Sequence, residues 1–268
     1  MAALIRRKWI CTGLLASALG LAPAFVYAQA PAAPGARLSA LAPDNLAKPR
    51  PKPPFDLTGN WFIDNSPGIQ GWLFGPAAIP KLTPAAQKHR DAYVKAIAEE
   101  KVYRDDIGQC WPAGVPIIMT RVWPIAMIQT PTAIYMISEF MNSLRTVFLD
   151  GRTHTEEDIV VRTFNGESVG RWEGDTLVVE TRNFIDDEHH WVDQGVPASG
   201  ELRIVERIRM VGNQLEIAMT LTDPKNWEGE WKGVRRWNRV NDIDVQEVEC
   251  RPDLNEHLQS TSSKVHVR

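Results

Sequence analysis

The chain has 268 residues, 44% of them hydrophobic and 24% charged, with a formal net charge of −3. That is enough apolar side chain for a real core, and it excludes a wholly disordered chain. The acidic balance argues against a non-specific grip on nucleic acid. The 18 Gly and 19 Pro favour turns over long helices.

Arg6-Arg7-Lys8, the apolar run Trp9–Leu21 and the small-residue pattern Val26-Tyr27-Ala28 read as a secretory signal peptide over residues 1–28. The mature chain is then expected in the periplasm or outside the cell. The apolar run is shorter than the ~20 residues of a spanning helix, so no stable membrane insertion is expected. Loss of the leader removes Cys11 and leaves Cys110 and Cys250. An even cysteine count in an exported protein suggests one disulfide.

Residues 29–54 form an Ala/Pro-rich arm that ends in Lys48-Pro-Arg-Pro-Lys-Pro-Pro54. Such a segment lacks core-forming side chains and tends to extended, polyproline-like backbone. Ordered sequence is expected from Phe55-Asp-Leu-Thr-Gly-Asn-Trp61, as a ligand domain over residues 55–251 followed by a tail, 252–268. One helix is expected over 84–102, with Thr83 as its cap, Pro84 in its first position and Ala86, Tyr93 and Ile97 on one face.

From residue 117 the pattern changes to short apolar runs. Strands are expected over 117–122, 125–129, 133–140, 143–149, 158–164, 168–172, 176–184, 201–211, 214–222 and 231–240. Turn signals such as Asp150-Gly151, Asn165-Gly166 and Gly212-Asn213 lie between them. No alternation of long helices and strands is visible, which argues against a doubly wound sheet. The fold expected is mainly β, an antiparallel meander closed or nearly closed into a calycin-like barrel, with one N-terminal helix. A two-sheet sandwich is the alternative.

Val147-Phe-Leu-Asp150-Gly-Arg152-Thr-His154 and Ser168-Val-Gly-Arg-Trp-Glu-Gly-Asp-Thr-Leu-Val-Val-Glu-Thr181 resemble signatures of a widespread, poorly characterised family of exported bacterial proteins. Cys110-x-Pro112-x-Gly114-x-Pro116, Glu201-Leu-x-x-x-Glu206-Arg207 and Asp223-Pro224 match in the same order. The resemblance covers roughly residues 56–251 and implies no established activity. Members often carry His-Pro-His-Ser where this chain has Val196-Pro197-Ala198-Ser199. Chemistry resting on those histidines would be absent or altered here.

The candidate chemistry centres on Glu206. In Leu202–Met210 one strand face carries Leu202, Ile204, Glu206, Ile208 and Met210, and the arginines take the other. Period-two geometry therefore aims a carboxylate into the apolar side. Such a group either finds a partner or becomes a proton-transfer group with a shifted pKa. Glu139 repeats the argument more weakly. His154 is a candidate proton shuttle beside Arg152, whose fork suits a carboxylate or phosphate. Arg145 is a candidate partner for an inward carboxylate or a polar ligand.

Asp186-Asp-Glu-His-His-Trp-Val-Asp193 offers His189 and His190 for acid–base work and Trp191 for stacking, without the spacing of a metal site. Trp72, Trp191 and Trp227 sit among loop residues and are candidates to hold a flat ligand. No haem, dinucleotide or P-loop motif occurs, so neither cofactor nor metal is expected. The reading is an exported, cofactor-independent lyase, isomerase or hydrolase. His154, Glu206, Glu139, His189 and His190 would move protons, and Arg152, Arg145, Trp72, Trp191 and Trp227 would hold a small organic molecule. The alternatives are a non-catalytic binding protein using the same cavity and a structural or assembly protein.

Overall fold

The apolar–polar alternation of the second half of the chain folds as a sheet that closes on itself. The structure is a computed structural model, and it describes residues 37–65, 79–104, 106–193 and 195–255. The expected leader, the start of the arm, Trp72 and most of the expected tail lie outside these residues.

Nine strands close the barrel among the described residues. They are β1 (Gly59–Ile63), β2 (Ile125–Gln129), β3 (Ala133–Ser138), β4 (Ser143–Phe148), β5 (Glu167–Glu173), β6 (Thr176–Arg182), β9 (Arg203–Val211), β10 (Gln214–Thr222) and β11 (Trp231–Val240). The order around the barrel is β1-β11-β10-β9-β6-β5-β4-β3-β2, and β2 pairs with β1 to complete it. Closure gives each of the nine strands a neighbour on both sides. Two short strands, β7 (Trp191–Asp193) and β8 (Val196–Pro197), form a separate hairpin that the sequence pattern did not announce.

The meander is antiparallel except at one seam. β4 and β5 run parallel and share only the pairs Val147↔Ser168 and Phe148↔Val169. A parallel neighbour requires the chain to return to the end of the barrel where β4 began. Residues 149–166 make that return. The strand expected over 158–164 is therefore a loop, with Ile159 70% and Val161 85% exposed and a single bridge from Thr163 to Phe184. The strand expected over 117–122 is also corrected. Ile117–Met119 is a turn of 3-10 helix, and all three of its side chains are buried.

The inner faces follow the period of two. Along β9 and the residue before it, Leu202, Ile204, Glu206 and Ile208 are buried and Arg203, Val205, Arg207 and Arg209 exposed. Trp61, Trp231 and Trp237 join Ile134, Leu177, Ile217 and Met219 inside. On the outer face Glu216 lies between Arg209 and Arg236 on the neighbouring strands. It accepts from Arg209 Nη2 at 2.7 Å and from Arg236 Nη2 at 2.9 Å. Such cross-strand charge pairs add to sheet stability and hold Glu216 below the usual carboxylate range.

Helix α2 spans Pro84–Ala98, and Thr83 Oγ1 accepts from the Ala86 amide as its cap. Its buried contacts are Ala86 and Ala96, whereas Ile97 is 54% exposed, so the expected face is rotated. The hairpin packs against α2 closely. A Cβ at Gly195, where φ is +72°, would sit 2.5 Å from Tyr93 Cβ. Only glycine meets both demands there.

Cys110 and Cys250 form a disulfide that ties the segment after β11 to the one before β2. A four-residue helix, α1 (Pro43–Leu46), lies in the arm. The arm is bonded to the barrel rather than trailing from it: Thr132 Oγ1 donates to the Ala40 carbonyl at 2.6 Å and Asn45 Nδ2 to Asp150 Oδ2 at 2.9 Å.

Candidate functional site

The barrel interior settles the position of Glu206. It points inward and is fully buried, as the alternation of β9 requires. Its partner is Arg145 from β4. Nη1 donates to Oε1 at 3.0 Å and Nη2 donates to Oε2, a two-pronged ion pair. Arg145 Nε donates to Ser168 Oγ at 3.1 Å and Nη2 also reaches Thr181 Oγ1 at 3.0 Å. A carboxylate and a guanidinium so matched satisfy one another in a medium where either alone would be costly. The pair spans the weak parallel seam, joining β4 to β5, β6 and β9.

The other expected acid–base residues belong to separate networks. Glu139 follows the last residue of β3 with helical backbone, so the strand register does not carry it inward. Its carboxylate accepts from the Gln246 amide at 3.2 Å. His154 lies 3.2 Å from Glu167 Oε2 through Nδ1. Glu167 in turn accepts from the Thr155 amide and hydroxyl and from Asn183. Burial and the nearby Arg182 push His154 below its ordinary value despite Glu167.

His189 stacks on Trp111 with ring centres 3.7 Å apart and holds Asp187 Oδ1 at 2.7 Å. His190 is fully buried, with Nε2 3.2 Å from the Val115 carbonyl oxygen. Burial brings its pKa down to about 4.

The expected ligand-holding residues are similarly dispersed. Arg152 is bound to Asp150, donates to the Leu38 carbonyl at 3.3 Å and lies over the Phe148 ring. It clasps the arm, and its fork holds Asp150 well below the usual carboxylate range. Trp227 is a core residue, buried and edge-on to Trp231 at 5.5 Å. Trp191 donates to Asp106 Oδ2 at 2.8 Å and packs against His89 and Tyr103 beside α2. Among the described residues, no group of three or more His, Cys, Asp or Glu is arranged to hold a metal ion.

What the residues do bring together is a groove at the end of the barrel where the arm crosses. It encloses about 1110 Å³ and is walled by the arm from Leu46 to Asp56, the β2–β3 turn at Gln129–Pro131, the end of β4 at Leu149–Gly151, and Gly170–Trp172 of β5. Phe55 and Trp172 form its aromatic pair, with ring centres 5.0 Å apart and planes at 89°. The floor at Gly170 is tightly packed: a Cβ there would approach Leu149 Cδ2 to 2.9 Å and Val147 Cγ1 to 3.0 Å. Two other hollows, of about 540 and 250 Å³, lie around Asp223 and beside Trp191. Asp223 in the first of these is committed to Ser199 and Asn226, and Trp227 lines the same hollow.

Sequence reasoning missed this groove. Trp172 stood there only inside the Ser168–Thr181 signature, and the arm only as an extended Ala/Pro-rich segment. The readable signal was the pairing of a basic, proline-spaced arm with an aromatic one residue before the Glu173-Gly174-Asp175 turn.

No protein-family model and no curated protein matches the chain. Among solved structures it is similar to a mutant of the fluorescent protein UnaG, at 14% identity over 69% of this chain and 96% of that one, with a TM-score of 0.32. It is similar to a structure described as the REP1-NXSQ fatty acid transporter at 8% identity, with the same coverage and a TM-score of 0.32. At that score the likeness carries no argument about function or ligand.

The expectation of an acid–base enzyme is therefore corrected. Glu206 is held by Arg145, Glu139 binds backbone, His154 serves Glu167, His189 stacks on Trp111 and His190 is buried. None of the five lines the groove. What the fold and the site define is a closed β-barrel with an aromatic groove at one end.

Proposed function

We propose that this protein is an exported, non-catalytic binding protein that takes a small molecule in the groove at the arm end. The observation that carries the reading is the groove itself: about 1110 Å³ of concave space with Phe55 and Trp172 partly exposed within it. A volume of that order suits a drug-sized organic molecule, and such sites are mostly apolar with a few polar groups that fix orientation. Trp172 supplies a flat face of low conformational cost, and the arm's prolines supply a stiff wall.

Titration with the neutral dye N-phenyl-1-naphthylamine tests it. Saturable binding at one site per chain, quenching of tryptophan emission and loss of binding in Trp172→Ala are the expected results. No saturable binding by the wild-type protein contradicts the reading and favours a structural role.

A further inference from the structure

We propose that the arm-end groove selects an amphiphilic organic anion, with an apolar body on Phe55 and Trp172 and an acid group at the edge formed by Lys48 and Lys52. The proposal rests on the reading of the groove as the ligand site and adds the class of molecule it takes.

The charge of the lining points this way. Lys48, Arg50, Lys52 and Arg171 stand against Asp56 and Asp150 alone, on a chain whose formal charge is −3. A local excess of cations on an acidic protein is a field that draws anions to one place.

The division of partners sharpens the point. Asp150 is taken by Arg152 and Asn45, and Asp56 Oδ1 accepts from the Thr58 amide at 2.8 Å. Arg50 is spent inside the arm, donating to the Asn45 carbonyl at 2.6 Å and to Asn45 Oδ1 at 2.8 Å. Arg171 donates to Glu173 at 2.7 Å. That leaves Lys48 and Lys52. Both are exposed, and neither ammonium has an ion pair among the described residues.

The backbone between them is Pro49-Arg50-Pro51, and Arg50 is pinned to α1. Proline fixes φ and favours extended chain, so the two lysines are carried on a stiff rail beside an apolar floor. A long lysine side chain can lay its stem along that floor and present its charge at the rim.

Two dyes that share an aromatic body and differ by one sulfonate test the selection. They are N-phenyl-1-naphthylamine, which is neutral, and 1-anilinonaphthalene-8-sulfonate. Dissociation constants are measured for the wild-type chain and for the double variant Lys48→Glu/Lys52→Glu. Its fold is checked by thermal unfolding, which two exposed changes should leave in place.

The expected result is tighter binding of the sulfonate by the wild type, a loss of about tenfold for that dye alone in the double variant, and the same one-sided loss on raising the salt. Equal affinities for the two dyes, or a double variant that binds the sulfonate as the wild type does, overturn the selection while leaving the groove as a site. Failure of both dyes to bind the wild type overturns the groove reading and the selection with it.

Discussion

The barrel interior and the arm-end groove both carry charged side chains beside apolar ones, and they treat them in opposite ways. Inside, Arg145 and Glu206 are matched prong for prong and backed by Ser168 and Thr181. Outside, Lys48 and Lys52 have no ion pair among the described residues, and of the two acids that line the groove Asp150 is held by Arg152. A buried charge that has its partner is part of the architecture. Cations held in excess over an open aromatic floor are a demand for something else. That contrast sets Glu206, the most conspicuous carboxylate in the sequence, apart from the proposed groove.

The largest effect should come from breaking the inner pair. Glu206→Ala leaves the Arg145 guanidinium buried without its partner and should cost about 3–5 kcal/mol in urea unfolding. The double variant Arg145→Met/Glu206→Leu should recover much of that loss. Glu206→Gln should lower stability while dye binding stays at the wild-type level. Loss of dye binding in a folded Glu206→Gln protein would move the site into the barrel.

A smaller effect concerns the loop end. His190 titrates near 4 in the folded protein because it is buried, against 6.5 for an ordinary histidine. The unfolded chain therefore takes up its proton first as the pH falls. The stability tied to the neutral ring is full above pH 6.5, is lost between pH 6.5 and about 4, and amounts to about 3 kcal/mol. Unfolding free energies of His190→Gln across that window should fall less steeply with acid than those of the wild type. An unchanged slope would assign the acid sensitivity to other groups. Binding at the groove should not follow this titration, because His190 is not among the residues that line it.

The smallest effect is local. Thr83→Ala removes the cap of α2, whose hydroxyl accepts from the Ala86 amide at 3.4 Å, and should cost about 1 kcal/mol. A loss well above that would mean that the Thr83 hydroxyl's other bond, to the Lys225 carbonyl at 3.0 Å, carries more than the cap does.

Much of the barrel was legible because a half-buried strand writes its two faces directly into the sequence. The inward direction of Glu206 followed from Ile204 and Ile208 beside it, and the turns followed from residues such as Gly174 and Gly212, both at φ +60°. The parallel seam was not legible. Ile159 and Val161 look like strand residues, but the chain is occupied there in returning along the barrel, and nothing local records that direction. Ile117–Met119 is apolar because it is buried, which a short helical turn satisfies as well as a strand.

The groove was the least legible part. Its walls come from residues near 50, 130, 150 and 171, and no stretch of sequence contains more than one of them. The acid–base residues misled for the complementary reason. Their types were right for chemistry, but each had a structural partner that only the fold brings into reach.

The most direct measurement is a titration of isotope-labelled protein with 1-anilinonaphthalene-8-sulfonate, followed through backbone amide and indole resonances. Shifts should concentrate on the indole of Trp172 and the amides of Lys48, Phe55, Thr130 and Gly151, with the interior indoles of Trp61 and Trp237 unmoved. Shifts centred on Trp61, Trp237 and the Arg145–Glu206 pair, with Trp172 silent, would place the ligand inside the barrel and contradict the account.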